Sequence, residues 1–266
     1  MRRLAWATDV HLNFLDKGGV EAFANALKSQ GADAVILTGD IAEAPTLEPL
    51  LNAVARLIGV PIYFVLGNHD YYRSSIAAVR ARMVELNKSS KLLRWLPDLG
   101  VVHLTPGIGL VGVDGWSDAR YGSYEKSPVM LNDFFHIEEL TGLDKEARRK
   151  KLNQLGDDEA ARLRGPLWEA LERYEKALVA VHVPPFKEAT WHEGKVSNDD
   201  YLPHFSCRAV GDVLLEAARA FPKRKIRVLC GHTHGFGKVE VLPNLAVVTG
   251  AAEYGEPKVQ GVFELS

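Results

Sequence analysis

The sequence predicts an α/β fold, mainly parallel in its early part, on three observations. Short apolar runs alternate with stretches of helical spacing as far as Asn87; several runs stop at Asp, His or Asn; and after Pro97 paired apolar segments flank a Pro106-Gly107 turn. The alternation calls for parallel strands joined by helices, and the hairpin makes the sheet mixed. Open α/β sheets gather ligands at the carboxyl ends of their strands, so the polar stops mark the functional edge.

Leu4 to Thr8 reads as a buried strand that delivers Asp9-Val10-His11 to a loop, with a helix over Val20 to Lys28 behind it. Ala34 to Thr38 repeats the pattern, ending at Gly39-Asp40 before an amphipathic helix from Leu47 to Ile58. The run from Pro61 to Leu66 ends at Gly67-Asn68-His69-Asp70 and leads to a helix near Ser74 to Asn87. Val101 to Leu104 and Leu110 to Val113 form the hairpin. From about 116 to 176 the chain turns polar and helical, over Asp144 to Leu155 and Asp157 to Lys176. This stretch is the expected insertion in a single domain spanning 1–266. Its charge suits a solvated helix face, with a cap over the active site as the sharper alternative. Leu178 to Val181 returns as a strand and stops at His182-Val183-Pro184-Pro185, where the prolines bar a central ladder. A helix is expected near Val210 to Ala220, and Ile226 to Cys230 ends in Gly231-His232-Thr233-His234-Gly235. Three β-rich segments, Lys238 to Leu242, Leu245 to Thr249 and Val259 to Glu264, close the chain.

At 266 residues the chain lies just above the size at which one hydrophobic core stops growing, about 250 residues. The net charge of -2 offers no basic field for nucleic acid, so an anionic substrate must be attracted locally. No apolar run approaches the ~18 residues of a membrane span, and the apolar start after Met1-Arg2-Arg3 is too short for a signal-peptide core. A soluble, cytoplasmic protein is expected. Cys207 and Cys230 are the only cysteines, too few for a disulfide framework, and read as packing residues.

A single histidine at a strand end is more often structural than not. Five strand ends that offer Asp9 with His11, Asp40, Asn68 with His69, His182, and His232 with His234 are another matter, because one shared metal-binding edge requires such a set. Asp9, His11 and His234 can hold one ion and Asn68, His182 and His232 another, with the two oxygens of Asp40 bridging. Residues two apart in extended backbone point the same way, so His232 and His234 can serve one site or, across a bend, two. Imidazole and oxygen donors without thiolate suit manganese, iron or zinc. Two such ions outweigh the charge of Asp9 and Asp40 even with a bridging hydroxide added, leaving a cationic pocket that attracts phosphate. Paired ions also activate the bridging water and stabilise both oxygens of an in-line displacement, which is phosphoester hydrolysis. His69 is left over to stabilise or protonate the leaving oxygen, oriented by Asp70, with a purely structural histidine as the alternative.

Asp9-Val10-His11, Gly39-Asp40, Gly67-Asn68-His69-Asp70, His182 and Gly231-His232-Thr233-His234, taken in this order, resemble the motif blocks of the calcineurin-like metallophosphoesterase superfamily. The resemblance implies a four-layer α/β/β/α sandwich of two mixed sheets flanked by helices. It also implies a dinuclear centre with this ligand division, acting on phosphomonoesters or phosphodiesters. The Gly39-Asp40-Ile41-Ala42-Glu43-Ala44 block lacks the Arg of the protein Ser/Thr phosphatases, and Asp70 stands where those enzymes carry Glu. The blocks look more similar to bacterial-type members, including cyclic-nucleotide phosphodiesterases and lipid-precursor pyrophosphohydrolases. The expected partner is therefore a small phosphorylated substrate. A non-catalytic scaffold of the same fold that binds protein partners is the competing function, weakened because no ligand position is missing. Arg73 either grips a phosphate oxygen or makes a surface ion pair. Trp191, His192 and His204 either border the substrate pocket or lie in a surface loop.

Overall fold

The computed structural model describes residues 1–265. In the first half, β1 (Arg3–Ala7), α1 (Lys17–Ser29), β2 (Ala34–Thr38), α2 (Leu47–Ile58), β3 (Ile62–Val65), α3 (Ile76–Ser89) and β4 (Leu93–Trp95) alternate. The four strands pair in parallel in that order. The hairpin of β5 (Val102–Thr105) and β6 (Ile108–Gly112) follows, then α4 (Asp133–His136), α5 (Lys145–Arg173) and β7 (Lys176–Ala180). The short hairpin β8 (Trp191–His192) and β9 (Lys195–Val196) leads to α6 (Leu202–Phe205), α7 (Arg208–Ala220) and β10 (Lys225–Cys230). The chain closes with β11 (Gly237–Leu242), β12 (Leu245–Thr249) and β13 (Val259–Glu264).

β13 adds antiparallel to β1, giving a five-stranded sheet in the order β13-β1-β2-β3-β4. The second sheet has six strands in the order β11-β12-β10-β7-β6-β5, parallel in its centre and antiparallel at both edges. Strand alternation divides the apolar side chains among three cores. Leu4, Trp6, Ile36 and Val65 of the first sheet meet Leu110, Leu178 and Leu229 of the second. Their neighbours Ala5, Ala7, Val35, Leu37 and Phe64 point the other way, onto Phe23, Leu51 and Val79 of α1 to α3. Val111, Val179 and Val228 likewise face Leu163, Leu167 and Leu214 of α5 and α7. Both sheets are mixed and flanked by helices, so the four-layer expectation holds.

Two helices expected in the charged stretch 116–176 are one, the 29-residue α5. Gly156, Gly165 and Pro166 interrupt its apolar pattern, yet Leu163, Leu167 and Leu171 are buried against the second sheet. Asp144 caps its N-terminus by accepting from the Ala147 amide at 2.8 Å. Among the described residues no helix is long and apolar enough to cross a membrane.

Buried Asp114, just beyond β6, pins the strand ends that carry the polar loops. Its Oδ1 accepts from the Leu66 amide and the Trp95 indole, each at 2.9 Å, and its Oδ2 accepts from the Tyr71 hydroxyl at 2.7 Å. Its backbone carbonyl accepts from the His182 amide at 2.8 Å. The carboxyl ends of β3 in one sheet and β7 in the other are thereby tied to one residue.

Candidate metal centre

The loops beyond β1, β2 and β10 are bent hard. Asp9, His11, Asp40, His232 and His234 all adopt positive φ, from 40° to 69°, a region few non-glycine residues occupy. Such strain persists only where the surroundings over-determine it, and it collects at functional sites. The turns let the Asp9 amide donate to the Gly39 carbonyl at 3.1 Å and the His11 amide to the Asp40 carbonyl at 3.0 Å, lacing two loops together. Glycine is needed where the loops touch: a Cβ on Gly67 would overlap the Asp40 carboxylate, and one on Gly231 would overlap that of Asp9.

Donor atoms of Asp40, His182 and His232 lie within 4.8 Å of one another. The Asn68 Oδ1 joins them, 3.1 Å from His182 Nε2 and 3.0 Å from His232 Nδ1. The outer nitrogens of both rings are occupied. His182 Nδ1–H donates to the Thr38 carbonyl at 2.9 Å, and His232 Nε2–H donates to the His204 carbonyl at 2.9 Å. Asn68 Nδ2 donates to Asp133 Oδ1 at 2.7 Å, which turns its oxygen inward. In neutral rings the inward atoms are therefore all lone pairs, with His182 Nε2 and His232 Nδ1 only 3.2 Å apart. Acceptors facing acceptors at such distances repel unless a cation lies between them, so the donor set fits a metal ion.

A second set, Asp9, His11, Asp40 and His234, also lies within 4.8 Å. Asp40 belongs to both sets, with Oδ1 3.4 Å from His182 Nε2 and Oδ2 3.9 Å from His11 Nε2. His234 Nε2 stands 3.5 Å from Asp9 Oδ1 and 3.3 Å from His11 Nε2. Asp9 also accepts from the Thr8 hydroxyl at 2.6 Å and the His232 amide at 2.9 Å. This set is more open, bordered by half-exposed Tyr254, whose ring centroid is 4.5 Å from that of His11.

His69 stands beside both sets. Its amide donates to Asp40 Oδ1 at 2.9 Å, its Nε2 lies 3.9 Å from Asp40 Oδ2, and its ring stacks on Tyr72 at 4.3 Å. Its Nδ1 has no partner among the described residues. The expected hold of Asp70 on that ring is absent. Asp70 Oδ1 instead accepts from the amides of Ile41 and Ala42, and Oδ2 from that of Gly67, all at 2.8 Å. Three amides converging from two loops saturate the carboxylate, so Asp70 clamps the Asp40 loop to the Asn68 loop. Arg73 makes an ion pair, its Nε 3.1 Å from Glu43 Oε2.

The surface-loop reading of Trp191, His192 and His204 fails for His204, which is 2% exposed and supplies the carbonyl that fixes His232. His192 Nδ1–H donates to the Thr233 carbonyl at 3.0 Å, and the ring packs on Phe205, which in turn meets His232. Trp191 covers Gly237. Asp133, Tyr72, Tyr254 and the carbonyls of Thr38 and His204 were not singled out in the sequence. Only an apolar residue pattern broken by Asn132-Asp133 hinted at the first of these.

The electrostatics describe a pocket short of positive charge. Burial alone would lower the pKa of His182, but the carboxylates of Asp40 and Asp9 raise it to about 10. Burial lowers His11 to about 4 and, joined by the His182 charge, lowers His232 to about 4. Burial opposes ionisation of Asp40, yet the nearby His182 and His69 hold its pKa well below the usual range.

Comparison with known proteins bears on the fold and the family. No curated protein sequence matches. Among solved structures, a dimetal phosphatase from Danio rerio aligns over 99% of this chain and 92% of its own, with a TM-score of 0.63 at 16% identity. A phosphopantetheinyl hydrolase from Mycobacterium tuberculosis aligns over 95% of this chain and 89% of its own, with a TM-score of 0.67 at 14% identity. At such identities the likeness speaks for the fold. The family model of the calcineurin-like phosphoesterases matches residues 2–236, which include all the loops described above, and the chain belongs to that family.

Proposed function

We propose that the protein is a dinuclear metal-dependent phosphoesterase that hydrolyses a small phosphomonoester or phosphodiester. The observation that carries this reading is the convergence of His182 Nε2, His232 Nδ1 and Asn68 Oδ1 as lone pairs beside a carboxylate shared with a second donor set. Asp9, His11 and His234 would hold one ion, Asn68, His182 and His232 the other, and Asp40 both. Manganese, iron or zinc suits these donors. When bound, the pair supplies an activated water and the positive charge that stabilises the attacking and leaving oxygens.

The remaining steps belong to the chain. His69 lies beside Asp40 with Nδ1 unpartnered, so its imidazole is free to donate a proton to the leaving oxygen. Its ring stacks on Tyr72, which limits its orientations. Asp70 acts through the backbone, fixing the loops that present Asp40 and Asn68. Arg73 is held to Glu43 through its Nε. A reducing cytoplasm suits the buried, unpaired Cys207 and Cys230.

The test is a panel of aryl phosphates, bis-aryl phosphodiesters, cyclic nucleotides and pyrophosphates, run on protein loaded with manganese. Turnover of one class that is abolished by a chelator supports the reading. A protein that binds two ions and hydrolyses none of them would instead support a scaffold of this fold.

A further inference from the structure

Two aromatic rings that belong to neither donor set stand at the open side of the candidate metal centre. Phe14 ends the short 3₁₀ turn Leu12–Phe14 that follows His11, and its amide donates to the His11 carbonyl at 3.0 Å. Tyr254 lies on the loop between β12 and β13. The centroid of the His11 ring is 4.5 Å from that of Tyr254 and 6.0 Å from that of Phe14, and Tyr254 is also 5.1 Å from the His234 ring. Despite these contacts Phe14 is 55% and Tyr254 51% exposed, so each keeps about half of its surface open. Apolar surface left in water beside a cluster of polar donors is characteristic of a ligand-binding wall.

The Tyr254 loop is held at its base. Gln260 of β13 accepts from the Ala251 amide at 3.0 Å through Oε1 and donates to the Ala251 carbonyl at 2.6 Å through Nε2. The Ala252 amide donates to the His234 carbonyl at 3.2 Å, which ties this loop to one that carries a candidate ligand. Gly255, at a φ of 81°, turns the chain directly after Tyr254. The Tyr254 and Phe14 rings then meet edge to face, 5.2 Å apart at 73°, and make a corner with two apolar walls. A flat ring suits such a corner, because it can stack on one wall while it meets the other edge to face; a puckered or branched group has no π-face to offer. The family match ends at residue 236, so Tyr254 is an addition of this chain to the shared loops.

We infer that Phe14 and Tyr254 form the wall that receives the organic group of the substrate, and that they select esters in which this group is a planar aromatic or heteroaromatic ring. The inference rests on the phosphoesterase reading: a phosphate drawn to Asp9, His11 and His234 brings the group it carries against the two rings packed on His11.

Phosphonates test the selectivity apart from turnover, because they carry a P–C bond in place of the P–O bond that a phosphoesterase cuts. The probes are methyl-, cyclohexyl- and phenylphosphonate, titrated calorimetrically into the manganese-loaded full chain. Phenylphosphonate should bind about tenfold more tightly than methylphosphonate. It should also bind about threefold more tightly than cyclohexylphosphonate, which has the same number of carbons but no π-face. Phe14→Ala with Tyr254→Ala should remove both preferences and leave methylphosphonate binding unchanged, while Tyr254→Phe should keep them. Should the double variant fail to fold, Tyr254→Ala alone changes an exposed loop residue and should reduce the phenyl-to-methyl ratio about threefold. Three results overturn the inference: no binding of any phosphonate, equal binding of phenyl- and cyclohexylphosphonate, or variants that weaken phenyl- and methylphosphonate alike, which would make the rings mere supports for His11. A phenyl preference that vanishes in the variants, in a protein that hydrolyses no ester, would uphold the aromatic wall and count against the phosphoesterase reading alone.

Discussion

The two halves of the candidate metal centre share Asp40 but are held differently. Around Asn68, His182 and His232 every inward atom is aimed by an outer hydrogen bond, to Asp133, the Thr38 carbonyl and the His204 carbonyl. Around Asp9, His11 and His234 only the carboxylate is so held: His11 Nδ1 has no partner, and the His234 side chain is 21% exposed beneath Tyr254. Outer partners of this kind set tautomer and orientation before a cation arrives. The donors of the first half are therefore aimed in advance, and those of the second are not.

The largest break is Asp40→Ala, which removes the element common to both halves. Elemental analysis should find both ions lost together and hydrolysis at background; loss of one ion alone would remove Asp40 from the shared position. Next, His69→Ala should lower turnover by about 10²–10⁴-fold with metal content unchanged. Metal loss in that variant would turn His69 into a ligand.

Asp133→Ala addresses the contrast itself. It frees Asn68 and Tyr72, both of which bond Asp133 Oδ1 at 2.7 Å, so the ion of that half should bind about 10–100-fold more weakly, seen by competition with a chromogenic chelator. The other ion should be unaffected. Equal weakening of both would show that the halves are not independently held.

The smallest effect is on pH dependence. Burial lowers His204 to about 4 in the folded chain, against 6.5 when unfolded. Between these values the unfolded state binds the extra proton, so stability is full above pH 6.5 and falls as pH drops toward 4. The contribution is on the order of 3 kcal/mol. His204→Gln should make the decline of Tm shallower over that range; an unchanged slope would mean that His204 does not stay neutral.

What the sequence disclosed and what it hid have different physical origins. Strand-period apolar runs that stop at Asp9, Asp40, Asn68, His182 and His232 were legible, because burial on both faces imposes the runs and the sheet edge imposes the stops. Sequence adjacency misled at Asp70. Its neighbour in the chain is His69, but two of its three hydrogen bonds go to amides 28 and 29 residues away, chosen by how two loops meet. Asp133 was hidden for the same reason, being 65 residues from Asn68. β4 is three residues long, too short for periodicity, and Gly156 disguised α5 as two helices.

The most direct measurement of the central claim is a manganese titration of the metal-free protein in which bound ions and bis-aryl phosphate hydrolysis are followed together. Two ions per chain, with hydrolysis rising only as the second binds, is the predicted result. Saturation at one ion, or full activity with one ion bound, would contradict a centre built on two halves joined at Asp40.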